Sequence, residues 1–255
     1  MRIVICIENA IDVTQPFQIT ENQKNIGNCV NILNPWDEFA LEAAILQKEK
    51  QEAELIVLTI GDEKSDKSLR NAFAMGCDTM IRVDVDPFYL NNSQIAEILA
   101  KAFKKVGNPD LICFGKKSID FETGMTATLV AKIMDLPYLP SITTIDELDT
   151  EKIISTFRID QEKIMTSVNL PAVISVSKEF AEPRFPSFLG TRKAAKTSII
   201  IWTLADLDIG PKKYANPDFN ITTIPVKNVH TEMIRGNDNL EIVSMLDAKI
   251  KEAGV

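Results

Sequence analysis

The sequence predicts an α/β fold: a mostly parallel, doubly wound sheet, with an antiparallel meander at one edge and an extended C-terminal arm. Three observations predict it. Short Val- and Ile-rich runs, apolar nearly throughout, alternate with amphipathic helical patterns over the first two-thirds of the chain, as strands covered on both faces do. A later stretch switches to alternating apolar and polar residues around polar turns. Beyond it, regular patterning gives way to scattered Pro, Asn, Gly and Asp.

The expected parallel strands are residues 2–7 (RIVICI), 54–60 (ELIVLTI), 79–85 (TMIRVDV), 111–115 (LICFG) and 171–177 (PAVISVS). Helices are expected at 36–51, 63–75, 93–106 and 123–134. The first follows Asn34-Pro35, and proline suits a helix start. The second stops at Gly76, a residue fit for the position after a helix end. Residues 142–169 alternate around Asp-Thr-Glu and Asp-Gln-Glu and read as the meander. A short helix over 238–252 closes the chain. This divides it into an α/β domain at 1–178, a loop at 179–198 and an arm at 199–255, which either packs on another chain or hangs free.

Composition narrows the function. Of 255 residues, 45% are apolar and 25% charged, as in ordinary globular proteins. A net charge of −8 argues against a general nucleic-acid surface. No stretch approaches the ~20 apolar residues of a membrane span. The chain enters a strand at once, without a signal or transit pattern, so a cytoplasmic location is expected. Cys6, Cys29, Cys77 and Cys113 show no CxxC spacing and read as reduced thiols. His230 is the only histidine, which argues against a His triad or a multi-His metal site.

Three stretches carry candidate chemistry. The first is GKKSIDFETGMT, Gly115 to Thr126, between a buried strand and a helix. Open α/β sheets hold ligands beyond strand carboxyl ends, and helix N-termini favour anions. Thr123 offers an N-cap hydroxyl, Gly124 a backbone without Cβ, and Thr126 a second hydroxyl; equally, Thr123 could cap and Gly124 ease the turn with no ligand involved. The second is NPWD, Asn34 to Asp37, at a helix start. The helix dipole alone accounts for Asp37, and Trp36 serves either as core or as a stacking surface for a flat ring. The third is EPRFPSFLGTRKAAK at 182–196, where apolar Phe185, Phe188 and Leu189 stand among Arg184, Arg192 and other cations. Apolar anchors with a cationic rim suit an acidic partner, unless they tuck back onto the domain.

In this order and spacing the stretches, with SLRNAFAMGCD at 68–78, resemble the beta subunit of electron transfer flavoproteins from the first strand to about Lys196. The resemblance implies a sheet of the adenine-nucleotide alpha-hydrolase type, a heterodimer with an FAD-carrying alpha subunit, and an adenine nucleotide held in this chain. That nucleotide is AMP in most members and a second, NADH-oxidising FAD in electron-bifurcating ones. Carried over by motif, its site comprises Cys6, Asn34, Pro35, Trp36, Asp37, Ile60, Gly115, Lys116, Lys117, Ser118, Asp120, Thr123, Gly124, Met125 and Thr126. Trp36 is implied to lie near the alpha-subunit flavin. Arg184, Phe185, Phe188, Leu189 and Arg192 are implied to dock an acyl-CoA dehydrogenase-type partner, with Phe188 or Leu189 as anchor.

The loop departs from the family. Members commonly read DDDxNQTG, or DGDTAQVGP when bifurcating, against DFETGMTAT here; Glu8 and Asn9 also replace the usual Lys and Arg or Gln. We expect an electron carrier with no bond-making chemistry. AMP is favoured, with Phe121 and Met125 closing over it. Two other classes compete with this reading. A nucleotide-hydrolysing or adenylate-transferring enzyme would want a Gly-rich loop where ENAIDVT stands at 8–14. A nucleotide-sensing module would have no need of the EPR loop.

Overall fold

The computed structural model describes residues 1–16, 18–19, 26–27, 29–210 and 231–253; His230 lies outside the described residues. Residues 1–220 form one unit and 221–255 a second.

In the first unit β1 (Arg2–Cys6) is followed by a small ribbon, β2 (Asn9–Ile11), which pairs antiparallel with β5 (Asn31–Leu33), and by the two-residue pair β3 (Gln18–Ile19) and β4 (Ile26–Gly27). Then come α1 (Pro35–Lys50), β6 (Glu54–Gly61), α2 (Asp66–Met75), β7 (Thr79–Asp84), α3 (Asn92–Val106), β8 (Leu111–Gly115) and α4 (Thr126–Met134). The meander is β9 (Tyr138–Leu148), β10 (Lys152–Ile159) and β11 (Glu162–Asn169). β12 (Ala172–Val176), α5 (Phe188–Lys196) and β13 (Ile200–Trp202) complete the unit. Nine strands make one sheet in the order β11-β10-β9-β12-β8-β1-β6-β7-β13. Every pairing from β9 across to β13 is parallel, and β10 is antiparallel to both neighbours.

The pleat explains why the strands are apolar throughout. Successive side chains leave a strand on opposite faces, and both faces are covered. Ile3 and Ile5 enter a core with Leu41, Ala44, Leu69 and Phe73 of α1 and α2. Val4 and Cys6 enter the other, with Leu99 and Phe103 of α3 and Val130 of α4. The same alternation holds in β6, β8 and β12.

Two segments differ from expectation. The helix predicted from residue 123 starts at Thr126, because Glu122 and Gly124 take left-handed backbone angles (φ 53 and 58) that no helix tolerates. Thr123 is therefore not its N-cap; Met125 occupies that position and makes no side-chain cap bond. Past residue 199, Ile200–Trp202 joins the sheet beside β7. Three residues on a half-exposed edge leave too little pattern to announce a strand. EPRFPS is loop, as its prolines suggest, but Phe188–Lys196 is helical, with Ser187 accepting from the Gly190 N–H as N-cap.

In the second unit α6 (Asn239–Glu252) lies within one residue of the expected helix at each end that the structure describes. Asp238 caps it by accepting from the Glu241 N–H.

Candidate functional site

The sheet changes direction of winding at its centre: from β1 the chain proceeds outward to β6 and β7, then returns to β1's other side with β8. Beyond the carboxyl ends of β1, β6 and β8 lies a cleft of about 400 Å³. That volume falls in the usual range for small-molecule sites, ~300–1,000 Å³, and the place is where open α/β sheets bind ligands.

Each wall is a consequence of local sequence. From β1 come Cys6, Ile7 and Glu8; from β6, Ile60 and Gly61; from β8, Phe114 and Gly115. The first turn of α1 contributes Asn34 and Asp37, both buried. Asp37 is more than a dipole-compensating acid. Its Oδ2 accepts from the Glu8 N–H (2.8 Å) and its Oδ1 from the Gly115 N–H (3.0 Å), tying two strand ends to the helix. Gly115 is required by that closeness, since a Cβ there would lie 2.5 Å from the Trp36 carbonyl carbon. Asn34 donates through Nδ2 to the Lys117 carbonyl (2.9 Å), while its Oδ1 is buried with no partner among the described residues.

The loop after β8 is pinned from within. Asp120 Oδ2 accepts from the Ile11 N–H (2.9 Å), reaching back to the β2–β5 ribbon. The Phe121 N–H donates to Asp120 Oδ1 (2.8 Å), and Lys117 pairs with Glu122 (2.7 Å). The Lys117 ammonium also sits over the Trp36 ring at 5.5 Å. Thr123, Gly124, Thr126 and Ala127 line the cleft beside the start of α4, whose first-turn N–H groups have no side-chain cap.

The carboxyls here are shifted upward. Burial, then the charges of Asp120 and Asp37, push Glu8 up to about 8. Burial pushes Asp37 up to about 7 against the pull of its hydrogen bonds. The Cys6 thiol is raised well above its ordinary value, first by burial and then by Asp37 and Glu8.

Of the residues expected at the site, Cys6, Asn34, Asp37, Ile60 and Gly115 line the cleft. So do Lys116, Lys117, Ser118, Asp120, Thr123, Gly124 and Thr126. Pro35, Trp36 and Met125 are not among the lining residues; Trp36 packs beside Phe39, ring centroids 6.2 Å apart. Phe121 and Met125, expected to close over a ligand, stand 58% and 51% exposed, with Phe121 on the rim. The far wall escapes a reading of the sequence. Phe88, Leu90, Ile95 and Leu99 supply an apolar side, and on α3 such residues carry the same spacing as any core-facing helix. Glu8 carries a signal, a carboxyl where cations are usual, and it lines the cleft.

The EPR loop divides in two. Phe185, Phe188 and Leu189 are 92%, 81% and 75% exposed, and Arg192 is exposed on the same helix. Arg184 instead grips this chain: its Nε and Nη2 fork onto Glu42 of α1 (2.9 and 2.8 Å) and its Nη1 reaches Glu49 (2.6 Å). Those two carboxylates hold the guanidinium above its ordinary range.

Residues 28–207 match the family model of the electron transfer flavoprotein domain. The chain is 34% identical over 200 residues to an electron transfer flavoprotein subunit beta of Syntrophomonas wolfei, covering 78% of each chain. The chain belongs to the electron transfer flavoprotein beta-subunit family. It is also similar to the subunit beta of Bacillus subtilis, 29% identical over 262 residues, covering 98% of this chain and 99% of that one. Subunit CarD of the caffeyl-CoA reductase-Etf complex of Acetobacterium woodii is 29% identical over 260 residues, covering 99% and 98%. For this beta-subunit family member, the matched span takes in NPWD, the post-β8 loop and the EPR loop alike. No helix among the described residues is long and apolar enough to cross a membrane.

Proposed function

We propose that this chain is the nucleotide-holding half of a heterodimeric, cytoplasmic electron carrier. It retains AMP in the cleft, partners an FAD-bearing alpha subunit with Trp36 towards that flavin, and docks the pair on an acyl-CoA dehydrogenase-type flavoprotein. The flavin supplies the redox chemistry; this chain supplies binding and position. The observation that carries the reading is the cleft's chemistry. Its donors and acceptors include an orphaned buried amide oxygen on Asn34, the uncapped first turn of α4 and the Cβ-free backbone at Gly124. A nucleotide fits these groups: the helix start favours its phosphate, and the Phe88, Ile95 and Leu99 wall favours a flat ring.

Asn34 and Asp37 hold the opposite wall in place, since Asp37 spans two strand ends and Asn34 fastens the loop at Lys117. Phe185, Phe188 and Leu189 supply an apolar anchor that the described residues leave exposed. Copurification with the alpha subunit, followed by nucleotide extraction, tests the reading. One AMP and one FAD per heterodimer is the expected result; a preparation without bound nucleotide in this chain would sink it. The second reading places FAD in the cleft, with NADH oxidation. The exposed Phe121 at the rim favours it, since the mouth is not closed to a longer ligand. Two FAD per heterodimer would select it.

A further inference from the structure

Resting on the nucleotide reading above, we propose that Glu8 is a ligand-facing specificity residue of the cleft, which holds the nucleotide as a neutral carboxylic acid donating one hydrogen bond to it. Nucleotide retention is then coupled to a proton.

The geometry comes first. Glu8 continues from β1 at the carboxyl end of the sheet, and its backbone is fixed on both sides. Its N–H donates to Asp37 Oδ2 (2.8 Å) and its carbonyl accepts from the Asn34 N–H (2.9 Å). The residue lines the cleft, and among the described residues its carboxyl has no hydrogen-bond or ion-pair partner. Beside it the Asn34 amide oxygen is 1% exposed as a residue and equally without a donor. Two polar groups of one wall, one of them fully buried, lack among the described residues the partners that buried polar groups require. A bound molecule can provide both.

The charge balance then decides the protonation state. Asp37 faces Glu8 from α1 and Asp120 faces it from the loop after β8, and both oppose its ionisation. The thiol of Cys6 lies on the same strand and carries no charge, being raised well above its ordinary range. Around the cleft, Asp62 and Lys64 follow β6, and Asp86 follows β7. Of the loop cations, Lys117 is committed to Glu122, which leaves Lys116. An ionised Glu8 would meet two carboxylates and an anionic ligand together; a protonated one relieves that repulsion and gains a donor. Burial and the two aspartates push it up to about 8, so the acid is the prevailing form at neutral pH.

The test is AMP binding to the nucleotide-stripped heterodimer between pH 7 and 9.5, where the AMP phosphate no longer titrates, its second pKa being about 6. Above the Glu8 midpoint the affinity falls about tenfold per pH unit. Glu8→Gln, which stays neutral, loses that fall and holds its affinity within about twofold from about pH 8 to 9.5, where Asp37, raised to about 7, is already ionised. Asp120→Asn removes one opposing charge and moves the fall to lower pH, which keeps the test available if Glu8→Gln does not fold. AMP bound with constant affinity by the parent, or an unchanged fall in Glu8→Gln, overturns this inference alone. No AMP bound at any pH overturns the AMP reading and this inference with it.

Discussion

Asp37 shows how one side chain becomes a hub. In the sequence it is a first-turn acid whose charge suits the helix dipole. In the structure its two oxygens are each occupied by a backbone N–H, from Glu8 and from Gly115, so α1 is fastened to β1 and β8 together. The consequence is testable with an isosteric change. In Asp37→Asn, whichever way the amide turns, its NH2 meets one of two donors and leaves that N–H buried without an acceptor. The variant should lose about 1–3 kcal/mol by urea denaturation, and AMP affinity should fall with it because Asn34 shares the same turn. A variant as stable as the parent would show that the orphaned N–H finds water instead.

At the scale of elements, α5 and the loop before it separate docking from folding. Phe188 is 81% exposed, whereas Arg184 forks onto Glu42, itself 5% exposed on α1. Phe188→Ala should therefore leave the unfolding free energy within about 0.5 kcal/mol while weakening capture of the dehydrogenase partner at least about fivefold. Arg184→Ala should do the reverse, costing about 2 kcal/mol because it leaves a buried carboxylate without its charged donor. Equal effects of both on stability would end the distinction. Nothing local to EPRFPS announces that Arg184 finds its partner 142 residues away, so a cation in a basic run reads as rim. The same limit runs through the fold. Doubly covered strands and amphipathic helices are legible because the pleat and the helical turn impose periods on the sequence. Ile200–Trp202 is not legible, being three residues on an edge. The start of α4 is misplaced because left-handed angles at Glu122 and Gly124 cannot be read from residue type alone. The loop side of the cleft is legible through its glycines and charges, whereas Ile95 and Leu99 on α3 look like any core face.

The whole molecule assembles carboxyls from residues 8, 37 and 120 at one sheet end, and this sets how its stability responds to pH. Unfolded, Glu8 and Asp37 titrate near 4.5 and 3.8; folded, they are raised to about 8 and about 7, by burial first. The folded state therefore binds more protons than the unfolded one across that interval, and the stability these groups contribute is complete below about 4 and is lost as pH climbs through 7 and 8. Glu49, Asp149 and Asp206 are shifted the other way by their hydrogen bonds, so their contribution is present above about 4 and lost on acidification. The two trends cross near the unfolded carboxyl values, and the nucleotide-free chain should be most stable at about pH 4. Between pH 6 and pH 9 the loss should be of the order of a few kcal/mol, read as a falling denaturation midpoint at constant slope. Glu8→Gln removes the larger of the two shifts and should flatten that decline. A midpoint that rises from pH 6 to pH 9 in the parent would mean that the carboxyls are ionised and solvated in the folded chain. The cleft would then meet its nucleotide as a cluster of negative charges, and retention of an anion there would need a cation drawn from the alpha subunit.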